Sequence, residues 1–135
     1  EPLWTSRSLK TKFATPVCSG DRIIGLDEGI LTCLDARNGR KIWKRGRYGH
    51  GQILWAANAL LVQTEFGDVV LVAVTDDGPV EIGSLPALHA KTWNHPALAA
   101  PLLLVRNDRE AACYELTLEA SSIRKPERIL PASSL

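Results

Sequence analysis

The chain has 135 residues, 45% hydrophobic and 23% charged, which suits one ordinary domain and excludes wholesale disorder. Its 16 Lys and Arg against 15 Asp and Glu leave a formal charge of +1, so nothing in the charge balance supports a nucleic-acid or anionic-membrane binder. No apolar run reaches the roughly 18 residues of a membrane-spanning helix, so no transmembrane segment is expected. There is no Met, and the opening Glu1-Pro2-Leu3-Trp4 leads into no basic-then-apolar leader, so the sequence is expected to be a piece of a longer protein.

In chain order, strand patterns fall at residues 13–17, 22–26, 30–34, 41–44, 52–55, 60–65, 69–74, 80–82, 93–98, 102–106 and 111–116. Turn signals separate them: Ser19-Gly20-Asp21, Asp27-Glu28-Gly29, Arg37-Asn38-Gly39, Phe66-Gly67-Asp68, Asp76-Asp77-Gly78 and Asn107-Asp108. Short apolar runs broken this often cannot hold a helical stripe, and they predict an antiparallel meander. Only residues 84–90 and the tail lack a strand pattern, and Pro86 opposes a helix in the former. The predicted class is all-β.

The meander repeats. Residues 15–35, 52–74 and 95–115 align, with Gly29, Gly67 and Arg109 at equivalent points. A period of about forty residues with about four strands per unit is the signature of propeller blades; a helix-pair solenoid shares the period but needs amphipathic helices. The expected architecture is therefore about three four-stranded antiparallel blades of an incomplete propeller. The repeat region covers residues 1–120, with units at 11–45, 50–85 and 91–118, and residues 121–135 form an extended tail. Ile129-Leu130 in that tail is a candidate strand for pairing with the opposite end of the chain.

Unit 1 ends in Cys33-Leu34-Asp35-Ala36-Arg37-Asn38-Gly39-Arg40-Lys41-Ile42-Trp43. Asp35 is placed to receive turn N–H groups, Asn38-Gly39 suits a turn with positive φ, and Trp43 offers a flat ring to a neighbouring blade. This stretch resembles the tryptophan-docking repeat of the PQQ-like β-propellers, Ala-x-Asp-x-x-Thr-Gly-x-x-x-Trp. Asp35, Gly39 and Trp43 match, while Cys33 and Asn38 depart from the pattern. Unit 2 holds a degraded copy at Ala73, Gly78 and Ile82, and unit 3 keeps only Cys113-Tyr114-Glu115. Residues 46–52, 67–72, 91–98 and 106–114 also resemble the last blades of bacterial PQQ-like repeat proteins, a family that includes the barrel-assembly lipoprotein of the outer membrane and the quinoprotein dehydrogenases. The resemblance covers roughly residues 3–118 and implies an exported or periplasmic protein of which these are the C-terminal blades.

The dehydrogenases of that family hold PQQ with calcium beside a vicinal Cys-Cys pair. Here Cys18, Cys33 and Cys113 are scattered and odd in number, read as buried small hydrophobes, and Cys33 and Cys113 are expected to stay apart in different blades. The acidic pairs Asp27-Glu28 and Asp76-Asp77 sit beside Gly in turns and read as solvated turn residues. His50, His89 and His95 share no metal-ligand spacing. The Gly-rich loop around His50, residues 46–51, lacks the features of a phosphate loop and reads as a blade-to-blade crossover. Inner strands of a propeller face its channel, which makes His50, Trp93 and His95 the candidates for lining one.

No catalytic, metal or cofactor residue is assigned, and PQQ enters through the resemblance alone. The leading expectation is a non-catalytic binding or scaffolding module, a class that includes a carbohydrate- or peptide-binding propeller lined by Trp55 and Trp93; the alternative is a fragment of a quinoprotein dehydrogenase with its cofactor ligands elsewhere. Expected partners are the remaining blades of the parent propeller, a second copy, or other proteins, because open sheet faces carry apolar surface.

Overall fold

A computed structural model describes residues 1–116 and 129–131. It is all-β, and no helix occurs among the described residues. Blade 1 runs β1 (Val17–Ser19), β2 (Arg22–Asp27), β3 (Ile30–Asp35) and β4 (Lys41–Arg47); blade 2 runs β5 (Gln52–Ala56), β6 (Ala59–Gln63), β7 (Asp68–Thr75) and β8 (Gly78–Pro86). Blade 3 runs β9 (Ala97–Ala99), β10 (Leu102–Arg106), β11 (Ala111–Leu116) and β12 (Ile129–Pro131). Within each sheet the strands pair antiparallel in chain order. These are three propeller blades side by side, and their sheets remain open.

Period-2 alternation along the central strands decides which side chain enters which junction. In blade 1, Ile24, Leu26, Leu31, Cys33 and Trp43 pack against Ile53, Leu60, Val62, Val70 and Val72 of blade 2. The residues between them in blade 2, Leu61, Val69 and Leu71, face the other way onto Leu103, Val105 and Leu116 of blade 3. Blade 2 therefore reads as a near-continuous apolar run because both of its faces are buried.

The turn closing blade 1 is built by Asp35. Its Oδ1 accepts the Arg37 N–H (2.9 Å), its carbonyl accepts the Gly39 N–H (2.8 Å), and Arg37 clasps both carboxylate oxygens. Gly39 adopts φ +71°, which L side chains rarely adopt, and a Cβ there would lie 2.4 Å from the Trp4 ring. Trp43 is 5% exposed and its Nε1 donates to Thr75 O in blade 2 (3.2 Å). Trp4 makes the same contact one blade earlier, donating to Ala36 O (2.9 Å); each indole reaches a carbonyl 32 residues ahead. The lead-in chain thus lies against blade 1 as the end of blade 1 lies against blade 2. Leu9 and Pro16 continue the cover over Gly25, where a Cβ would meet Leu9 at 2.8 Å.

Several expectations need correction. The strands predicted to start at Phe13 and Trp93 start at Val17 and Ala97, because Pro16 and Pro96 carry no N–H for a ladder and the Phe13 and Trp93 carbonyls are engaged elsewhere. Residues 84–86, read as patternless, complete β8. Ile129–Pro131 does not reach the opposite end of the chain; it pairs with Tyr114, Glu115 and Leu116 as the fourth strand of its own blade. The rest of the predicted tail lies outside the described residues. Cys18 is exposed, being on a three-residue edge strand, while Cys33 is buried; all three cysteines are free. Asp27 is not solvated: it is 3% exposed and accepts the Lys10 N–H (2.6 Å) and the Lys44 ammonium (2.5 Å). Nor is the outer face of blade 1 bare, since Trp4 and Leu9 cover it.

Candidate functional site

Three lead-in segments meet where the blades begin. Gln52, the first residue of β5, is 4% exposed, and its amide nitrogen donates to Phe13 O before blade 1 and Trp93 O before blade 3, at 3.0 Å each. Both amide hydrogens are thereby committed. The remaining oxygen stands 3.3 Å from His95 Nδ1. That oxygen can only accept, so the hydrogen bond places the imidazole proton on Nδ1, and a neutral ring keeps Nε2 as an acceptor. A buried polar side chain thus joins the beginnings of three blades with each of its groups satisfied.

Around this joint lies an open groove of about 620 Å³ lined by Phe13, Thr15, Val17, residues 52–55, Trp93, Asn94 and His95. Two of its aromatic rings stay in solvent. Phe13 is 56% and Trp93 43% exposed, with centroids 5.2 Å apart and planes tilted by 40°. The tilt and spacing suit a favourable aromatic pair. Trp93 is held on two further sides: its Nε1 donates to Glu65 Oε1 (2.9 Å), and Lys91 Nζ lies 4.8 Å from the ring centroid. The other Glu65 oxygen accepts the His50 N–H (2.9 Å). These donors, the His50 backbone first and the Trp93 indole second, outweigh burial and hold the Glu65 carboxyl below its usual range. Trp55, also in the lining, keeps a buried Nε1 without a partner.

Of the residues singled out in the sequence, Trp55, Trp93 and His95 lie together in this groove. His50 lies in the β4–β5 crossover, joined to them through Glu65 and absent from the lining. Asp35, Gly39 and Trp43 sit in the blade 1 turn and the junction with blade 2. Sequence reasoning passed over Gln52, Phe13 and Glu65. In the sequence Gln52 and Phe13 read as ordinary strand residues, and nothing local marks a glutamine whose partners lie 39 and 41 residues away. Trp4 had a signal, since it precedes Trp43 by one repeat length. Among the described residues no three His, Cys, Asp or Glu side chains gather as a metal site.

No family model matches the chain, and no curated protein matches it in sequence. Solved structures do match it in fold. The computationally designed Ika4 protein aligns with a TM-score of 0.67 at 12% identity, over 85% of this chain and 72% of its own. The designed Ika8 protein aligns at 0.61 and 12% identity, over 87% of this chain and 35% of its own. BamB from Moraxella catarrhalis aligns at 0.44 and 18% identity, over 81% of this chain and 33% of its own. The chain thus spans about a third of the length of the latter two. At these identities the likeness is one of fold.

Proposed function

We propose that the chain is a non-catalytic binding and scaffolding module of the PQQ-like repeat kind, part of a longer exported bacterial protein, with the groove at Gln52 as its contact surface. One observation carries this reading: two aromatic rings at the groove are left in solvent yet fixed in place. Exposed aromatic surface costs solvation, and clamping it by Glu65, Lys91 and the Gln52 joint preorganises it for a contact. The open outer face of blade 3 serves a separate purpose in this reading, taking the remaining blades of a propeller or a second copy.

Two measurements test it together. An alcohol, PQQ and calcium supplied with an artificial electron acceptor are expected to give no dye reduction beyond the protein-free mixture. In ligand screening by nuclear magnetic resonance, the shifted resonances are expected to include the Trp93 and Trp55 indole N–H groups. Protein-dependent dye reduction, or ligand shifts confined to another face, overturns the proposal.

A further inference from the structure

We infer that the groove takes a neutral, hydroxyl-rich ring ligand, that is, a short oligosaccharide; this rests on reading the groove as the binding surface. The first ground is charge. No Asp, Glu, Lys or Arg is among the lining residues, so a charged ligand would lose hydration without a paired group to replace it. Glu65 and Lys91 are absent from that lining and contact the Trp93 indole edge and ring.

The second ground is the pairing of surfaces. Phe13 and Trp93 present exposed aromatic area, which suits the C–H face of a sugar ring. Beside them stand neutral polar groups with capacity to spare. The Asn94 side chain and the Thr15 hydroxyl make no hydrogen bond within the described residues, and the Gln52 contact engages only the Nδ1 side of the His95 ring. Donors and acceptors on side chains beside an aromatic platform match hydroxyls around a ring edge. The groove volume, about 620 Å³, falls within the range of small-molecule sites and leaves room for more than one ring.

The experiment is titration calorimetry of the chain with maltohexaose, cellohexaose and chitohexaose. A hexagalacturonate and a ten-residue mixed-sequence peptide serve as charged and peptide probes, and groove resonances are followed in parallel. At least one neutral hexasaccharide is expected to bind saturably below millimolar concentration. Trp93→Ala and Asn94→Ala are each expected to weaken it at least tenfold. Both residues keep exposed surface, so thermal midpoints are expected to stay close to wild type, and Trp93→Phe is expected to retain most of the binding. No binding of any neutral sugar at millimolar concentration, or binding unchanged in Trp93→Ala, overturns the inference. Groove shifts produced by the uronate or the peptide alone overturn the sugar assignment while leaving the groove as the contact surface. Groove resonances indifferent to every probe count against both.

Discussion

Trp43 and Trp4 show how one side chain secures a junction. Each donates its indole N–H to a carbonyl 32 residues ahead, and the Trp4 ring also lies against its turn at Gly39, but Trp43 is buried and Trp4 only half-buried. Truncating a buried aromatic typically costs about 3–5 kcal/mol. Trp43→Ala is expected to lower the unfolding free energy by that amount, and Trp4→Ala by less; equal losses in urea titrations would contradict the burial difference. Two carboxylates add a pH dependence. Arg37, through its side chain and then its backbone N–H, holds Asp35 down at about 2. Burial pushes Asp27 up, but the Lys44 ammonium and Lys10 N–H outweigh it, leaving Asp27 below its usual value. Groups depressed on folding stabilise above the unfolded pKa of about 3.9 and lose that contribution as pH falls through the folded value. Stability is therefore expected to fall between about pH 4 and 2, with a shallower slope in Asp35→Asn. Lys44→Met strands a buried carboxylate and is expected to cost on the order of 1–3 kcal/mol, part of it recovered by adding Asp27→Asn.

At the scale of the elements, two buried glutamines make a contrast. Gln52 uses both amide hydrogens and its oxygen to join three lead-in segments. Gln63, at the end of β6, is fully buried and donates once, to Asp68 O, while its oxygen has no partner among the described residues. A lost hydrogen bond costs about 0.5–1.5 kcal/mol net, and an orphaned buried group about 1–3. Gln52→Met orphans the Phe13 and Trp93 carbonyls and is expected to destabilise by roughly 2–4 kcal/mol while loosening Trp93, visible as a change in indole fluorescence. Gln63→Met removes an orphan along with one bond and is expected to stay within about 1 kcal/mol of wild type. Comparable losses from the two substitutions would show that the Gln52 joint does not bear on stability.

For the molecule as a whole, the two end blades differ. The outer face of blade 1 lies beneath Trp4 and Leu9. On blade 3 the register places Ala97, Leu104 and Cys113 in one row and Ala99, Leu102 and Glu115 in the next, facing away from blade 2. Leu104 is 44% exposed there. Such an apolar sheet face favours association. Sedimentation is expected to show concentration-dependent self-association at micromolar protein, shifted toward monomer by Leu104→Glu. A wild-type chain that stays monomeric, or an association indifferent to Leu104→Glu, would place the contact elsewhere.

The all-β class and its antiparallel sheets were legible in the sequence because their signals are local: period-2 alternation and turn residues are set by short-range sterics and hydrogen bonding. What only the tertiary structure decided is whatever depends on residues about a blade apart. Gln52 is an ordinary polar residue at a strand start until the carbonyls of Phe13 and Trp93 arrive beside it. Asp27 is a turn residue until Lys44 and the Lys10 N–H bury with it, and β12 has no role until β11 offers its edge. The position of Trp93, exposed yet fixed, follows from Glu65 and Lys91, which no spacing rule connects to it. Local geometry specifies the blade; contacts between blades, made by groups whose preferences are satisfied equally well by water in the unfolded chain, specify the groove.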